Sequence, residues 1–255
     1  MGTVFSFQIA DDIDSSRISN DCQTAFEILV DADNRFSLYK EDSEVSRIVS
    51  GEISWEEASQ TQREVRQICS EWKNTTSGFF DPEPEPGKYD PSGLVKTWAT
   101  KNAALYLQAN GYQDFTINAG GDIYLGPEVK TSPLTRVGLS NFISIGASDA
   151  STNLVIELAG SHFFGVATSG SSERGNHIWP SNGATIDDQF LQVTVVASDL
   201  VTADIWATAL VSGGTAALNL FEEKVLPEKG VAIVTHKNGR MISTPGFSKL
   251  LANLS

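Results

Sequence analysis

The chain has 255 residues, with 18 Lys and Arg against 32 Asp and Glu, so its formal net charge is −14 at pH 7. Hydrophobic residues make up 40% and charged residues 20%, a globular composition that excludes a disordered chain. The acidic balance disfavours non-specific binding to nucleic acid or to an anionic membrane, and a nucleotide-sized anion would need a local site of backbone N–H groups or a metal. Apolar runs fall far short of the roughly 20 residues of a membrane helix. Cys22 and Cys69 form no CxxC and no Cys/His cluster, which argues against structural zinc. Both sit among helix-period apolar residues, as core thiols do. No basic n-region with an apolar h-region opens the chain. As given it reads as cytoplasmic, or as extracytoplasmic if a signal segment has been removed.

Thr3, Phe5, Phe7 and Ile9 alternate with Val4, Ser6 and Gln8, which predicts a first strand. After a polar turn at residues 11–16, Cys22, Ala25, Phe26, Leu29, Ala32 and Phe36 recur at spacings of three and four, predicting a helix from about Ser19 to Asn34. Val65, Ile68, Cys69 and Trp72 mark a second helix, Gln60 to Asn74. The stretch Asp81-Pro-Glu-Pro-Glu-Pro-Gly87 is stiff, because three prolines fix φ and donate no hydrogen bonds. Asp90 then reads as an N-cap and Pro91 as the first position of a helix that Gly111 stops.

Strands follow at Phe115–Asn118, Ile123–Leu125, Arg136–Leu139, Leu154–Leu158, Phe163–Thr168 and Leu191–Val196. A helix carrying Ala203, Trp206, Ala207 and Leu210 ends at Gly213-Gly214, and another spans about Ala216 to Glu223. The hairpin Val231–Thr235 and Met241–Ser243 turns on Asn238-Gly239. Strands and helices mix without regular βαβ alternation. The expected class is α+β with a mainly antiparallel sheet, in a single domain over residues 1–255.

Four stretches offer chemistry, and each has a bland alternative. Asp90-Pro-Ser-Gly93 opens a helix whose free N–H groups suit an anion, with Lys96 one turn on; taken alone, the stretch reads better as a capped surface helix with a solvated lysine. Asn118-Ala-Gly-Gly-Asp122 permits positive φ and close ligand approach, or is a tight hairpin turn. It is not GxGxxG. Ala167-Thr-Ser-Gly170, followed by Glu173-Arg-Gly-Asn-His177, suits a phosphate or ribose nest, or is a polar loop with a structural histidine; Ser169 lacks a nucleophile elbow. In Thr202-Ala-Asp-Ile-Trp-Ala-Thr208, Asp204 and Thr208 stand at i and i+4 on one helix face. With a loop carbonyl they would make a hard-oxygen site suited to Mg²⁺, or they cap and back-bond locally.

Taken in order, these stretches resemble the ApbE-type flavin transferase family, enzymes that move FMN from FAD onto a protein threonine. Met1-Gly2-Thr3 resembles its opening MGT, and Phe36-Ser-Leu-Tyr39 with Asp42-Ser-Glu-Val-Ser-Arg47 resembles FS-x-Y followed by DSE-x-S-x. Phe80-Asp81-Pro82 resembles FDP, Asp90-x-x-Gly93-x-x-Lys96 resembles D-x-G-G-I-A-K-G, and Ala119-Gly-Gly-Asp122 resembles AGGD. Thr168-Ser-Gly170 and His177-Ile178 resemble TSG and SHI, and Asp204-x-x-x-Thr208 resembles the D-x-x-A-T metal helix. The chain departs from the pattern in three places. Only seven residues separate Pro82 from Asp90, Thr97 stands where many members carry Gly after the lysine, and His177-Ile-Trp-Pro180 lacks the usual acid.

The resemblance implies an α+β, T-fold-like domain that uses FAD as substrate and Mg²⁺ as cofactor. Asp204 and Thr208 would hold the metal, with a backbone carbonyl near Gly93. Met1 and Tyr39 would lie near the flavin or adenine rings, and Glu44, Asp90, Lys96, Gly120, Gly121, Asp122, Ser169 and Gly170 around ribose and diphosphate. His177 would be the base. The implied partner is an acceptor protein with an Asp…Ser/Thr-Gly-Ala-Thr-like stretch. Ser181-Asn-Gly-Ala-Thr185 echoes that stretch without its Asp, and its Asn-Gly reads as a rigid turn, so Thr185 is expected not to be flavinylated. A Mg-dependent FAD pyrophosphatase and a flavin-binding protein without turnover are the alternative readings.

Overall fold

The structure is a computed structural model and describes residues 2–83, 85–129, 133–139, 154–170 and 190–252. Its main element is a seven-stranded sheet in which every neighbouring pair is antiparallel. In chain order the strands are β1 (Phe5–Ile9), β2 (Phe115–Ala119), β3 (Asp122–Leu125), β6 (Gly165–Gly170), β7 (Phe190–Ala197), β8 (Gly230–His236) and β9 (Met241–Ser243), and they lie side by side in that order. The connection from β3 to β6 leaves the sheet and forms a separate hairpin, β4 (Arg136–Leu139) with β5 (Leu154–Glu157).

The helices enter as two insertions. Between β1 and β2 run α1 (Ser15–Phe36), α2 (Glu44–Val49), α3 (Gln60–Thr75) and α4 (Ser92–Ala109). Between β7 and β8 runs α5 (Leu200–Lys224). Helix α5 packs on β6 and β7, α4 packs on α5, and α1 packs on α4. The class is therefore the α+β arrangement with an antiparallel sheet that the sequence pattern predicts.

The alternation of side chains explains why the central strands read as nearly unbroken apolar runs. On β6, β7 and β8, Ala167, Val193, Val195, Ala232 and Val234 face the large core under the helices. Val166, Val196 and Val231 face a second core, closed by Leu139, Ile156, Phe247 and Leu250. A strand covered on both faces has no polar side to show. Gly165 is required where α5 crosses β6: a Cβ there would lie 2.4 Å from the Leu200 Cα.

Several boundaries differ from the sequence pattern for identifiable reasons. Helix α1 begins four residues early, because Asp14 accepts hydrogen bonds from the Ser16 and Arg17 N–H groups and so caps it. Helix α2 is absent from the sequence reading; six residues are too few to show a period. Asp90 Oδ1 accepts from the Ser92 N–H at 2.9 Å, but α4 starts at Ser92, one residue later than a Pro91 start requires. At Gly213-Gly214 the expected break is present: Gly214 takes φ 55° and ψ −137°, outside the helical region, so two helices meet at a kink within α5.

The cysteines separate. Cys69 is a core thiol, and Cys22 is only partly buried, against the expectation of two core thiols. Burial pushes the Cys69 thiol up to about 12, opposed in part by the Tyr89 hydroxyl, which donates to its Sγ at 3.8 Å. The Cys22 thiol is raised too, by burial and by Asp21. Thiolate is the reactive form, and at pH 8 a thiol titrating near 12 is ionised to about one part in 10⁴. Iodoacetamide at pH 8 is therefore expected to label Cys22 in the native protein, with Cys69 labelled only after denaturation, as read by peptide mass spectrometry.

Candidate functional site

Four of the singled-out stretches converge where α4, β3, β6 and α5 meet. Lys96 projects from the second turn of α4, and its Nζ contacts Asp122 Oδ2 at the start of β3. The same ammonium lies 4.0 Å from Asp204 Oδ2 on α5. Both acids are buried, Asp122 at 1% exposure and Asp204 at 4%. Asp122 Oδ1 accepts the Thr168 N–H at 3.0 Å, tying the turn between β2 and β3 to β6. Asp122 Oδ2 is buried and receives no hydrogen bond of good geometry; the group it meets is the Lys96 ammonium.

The i,i+4 pair on α5 is used as its spacing predicts. Asp204 faces α4, where the buried Thr97 hydroxyl lies 2.9 Å from its Oδ2. Thr208, one turn on, faces β6, with its Oγ1 3.3 Å from Ser169 Oγ. Two carboxylates and one ammonium leave this cluster with a formal charge of −1. Its donors are all oxygen, which is the ligand chemistry of a hard cation and not of zinc. Asp204, Thr208 and Asp122 thus fit such an ion in kind and in charge. Gly93 sits in the first turn of α4, where a Cβ would lie 3.1 Å from the Phe80 ring.

The glycine turn has a steric reason. Gly120 and Gly121 take φ of 64° and 103°, a region that costs a side-chain-bearing residue about 1–2 kcal/mol. Gly121 donates to Asn118 Oδ1 at 2.8 Å, and Gly120 donates to the Val4 carbonyl at 3.0 Å. The Thr3 side chain lies against Gly120, so a Cβ there would fall 2.0 Å from Thr3 Oγ1. The chain start is thereby seated on the turn that presents Asp122. Gly120→Ala is expected to destabilise the protein by about 1–3 kcal/mol, and Thr3→Gly in the same chain is expected to restore part of that loss in a thermal melt.

The other described residues named for the site stand in their own elements. Glu44 holds the start of α3, accepting from the Ser59 N–H at 2.5 Å and from the Ser59 hydroxyl at 2.8 Å. Tyr39, in the turn between α1 and α2, presents an aromatic ring that is 89% exposed. Asp90 closes the turn before α4, and Gly170 ends β6 opposite Gln192. Met1 and His177 lie outside the described residues, as does the stretch Ser181–Thr185. Among the described residues no three His, Cys, Asp or Glu side chains group as a metal cluster, and no helix is long and apolar enough to cross a membrane. Sequence reasoning missed Thr97, whose only signal was its place where many family members carry Gly.

Comparison with known proteins bears on this arrangement. A curated FAD:protein FMN transferase of Vibrio cholerae is 29% identical over 134 residues. That alignment takes in 49% of this chain and 38% of the relative's length. Among solved structures, the flavin transferase ApbE of Vibrio cholerae superposes with a TM-score of 0.71 at 21% identity, covering 98% of this chain and 96% of the other. The ApbE protein of Thermotoga maritima superposes with a TM-score of 0.77 at 18% identity, covering 99% and 97%. The apo flavinyl transferase ApbE of Pseudomonas stutzeri gives 0.73 at 18% identity, covering 99% and 95%. These structures share the fold of this chain. The sequence model of the ApbE family matches residues 1–88 and 84–232, so the chain belongs to the ApbE family.

Proposed function

We propose that this chain is an FAD:protein FMN transferase, moving FMN from FAD to a threonine or serine hydroxyl of a separate acceptor protein and releasing AMP, with residues 1–255 acting as one domain. The observation that carries the reading is the buried Lys96–Asp122–Asp204 cluster, built from the AGGD-like turn, the lysine helix and the D-x-x-x-T helix of one family pattern. Ser169 and Thr208 extend it onto β6, where the TSG motif stands. The acceptor is read as carrying an Asp…Ser/Thr-Gly-Ala-Thr-like stretch. Thr185, which lacks the Asp, is not its own target.

The chemistry is a phosphoryl transfer. The acceptor oxygen attacks the FMN-side phosphorus of FAD, an O–P bond forms, and the bond to the AMP oxygen breaks. His177 takes the hydroxyl proton; an imidazole with an ordinary value of about 6.5 suits that task near neutral pH. Mg²⁺ on Asp204 and Thr208, with the Gly93 carbonyl, would supply charge neutralisation of the diphosphate and of the departing AMP. Lys96 and Asp122 set the electrostatics beside the diphosphate, Gly120 and Gly121 form the turn that carries Asp122 there, and Ser169, next to Gly170 on β6, offers it a hydroxyl. Tyr39 offers an exposed ring for stacking on flavin or adenine; the family pattern would put Met1 beside the same rings, and Asp90 and Glu44 toward the ribose.

The deciding experiment incubates the protein with FAD, Mg²⁺ and an acceptor bearing the motif, then resolves FAD, FMN and AMP and weighs both proteins. The expected result is AMP with an FMN adduct on the acceptor, lost when the acceptor threonine becomes valine and lost in His177→Ala. Free FMN with an unmodified acceptor would make the chain a pyrophosphatase, intact FAD would make it a binding protein, and an adduct on the chain itself that Thr185→Val removes would make it its own substrate.

A further inference from the structure

We infer that Thr97 is a positioning residue for the Asp204 carboxylate, and through it for the divalent cation; the inference rests on the cation reading of Asp204 and Thr208 given above. Thr97 is fully buried at the contact of α4 with α5. A threonine inside a helix ordinarily returns its hydroxyl proton to a carbonyl of the preceding turn. Here that acceptor is present, with Thr97 Oγ1 3.2 Å from the Leu94 carbonyl. Asp204 Oδ2 is closer, at 2.9 Å, and charged. The hydroxyl has one proton to give, and hydrogen bonds to an ionised acceptor are roughly twice as strong as neutral ones. The proton therefore goes to the carboxylate.

The consequence is local. Asp204 comes from α5, but the Thr97 hydroxyl and the Lys96 ammonium that meet its Oδ2 come from consecutive residues of α4. The carboxylate is thus oriented by a neighbouring helix before any ion arrives. Partners that fix a metal-ligating carboxylate typically contribute 10- to 100-fold to metal affinity.

Mn²⁺ titration, followed by loss of the free-ion EPR signal with and without FAD, tests the role directly and needs no turnover. Thr97→Val keeps the shape and removes the donor, Thr97→Ala removes it with less packing demand, and Thr97→Ser keeps it. The expected result is Mn²⁺ binding weakened about 10-fold in the valine and alanine variants, with the serine variant near wild type and folding checked by thermal melts. If Thr97 only packs α4 on α5, the order reverses: valine behaves as wild type and serine and alanine lose the most, which overturns the inference. A wild-type protein that binds no Mn²⁺ in either condition overturns the cation reading itself, and the role of Thr97 with it.

Discussion

Asp204→Asn is expected to cut Mg²⁺-dependent FAD cleavage by at least about 100-fold while the protein stays folded. The reason lies in the charges of the cluster. Asp204 is 4% exposed and shares the Lys96 ammonium with Asp122. Removing its charge leaves Lys96 and Asp122 as a balanced pair, so no buried ion loses its counterion. The amide oxygen can still accept from the Thr97 hydroxyl, which keeps α4 and α5 in contact. What is lost is the formal charge of −1 that favours a cation at this point of the sheet. Chromatographic resolution of FAD, FMN and AMP, together with a melting curve, checks both halves. Unchanged turnover would remove Asp204 from the site; a collapsed melting curve would mean that the carboxylate serves the fold.

The pattern of the residues carries much of this arrangement, and its failures are physical. Strands such as Arg136–Leu139 and Met241–Ser243 are legible to the residue because they are bounded by polar or turn-forming segments. The Asp204/Thr208 pair is legible because a helix repeats every 3.6 residues whatever surrounds it. The contact of Lys96 with Asp122 is not legible, since 25 residues, most of α4 and all of β2 among them, intervene and only the packing of α4 beside β3 joins them. Glu44 is a second case: both its oxygens meet Ser59, a contact across fifteen residues that no local pattern encodes.

Lys96→Met is expected to have the largest effect on stability, and the opposite balance of consequences to Asp204→Asn. The lysine side chain is 12% exposed and lies between two carboxylates whose side chains are 2% and 6% exposed. Methionine fills the same volume without the charge, leaving Asp122 and Asp204 buried with a formal charge of −2. Breaking a buried ion pair by removing one partner costs about 3–5 kcal/mol. For a protein of this length that lowers the melting temperature by roughly 10 °C. Adding Asp122→Asn to Lys96→Met restores one unit of charge balance and is expected to recover a substantial part of the loss, because the amide oxygen can still accept the Thr168 N–H that joins β3 to β6. Divalent cations should also raise the melting temperature more in Lys96→Met than in wild type, since an ion that binds only the folded state stabilises it in proportion to its affinity. A Lys96→Met protein that melts with wild type, and gains nothing from Asp122→Asn, would mean that water already compensates the two acids. The cluster would then be a hydrated cleft wall and not a buried ion pair.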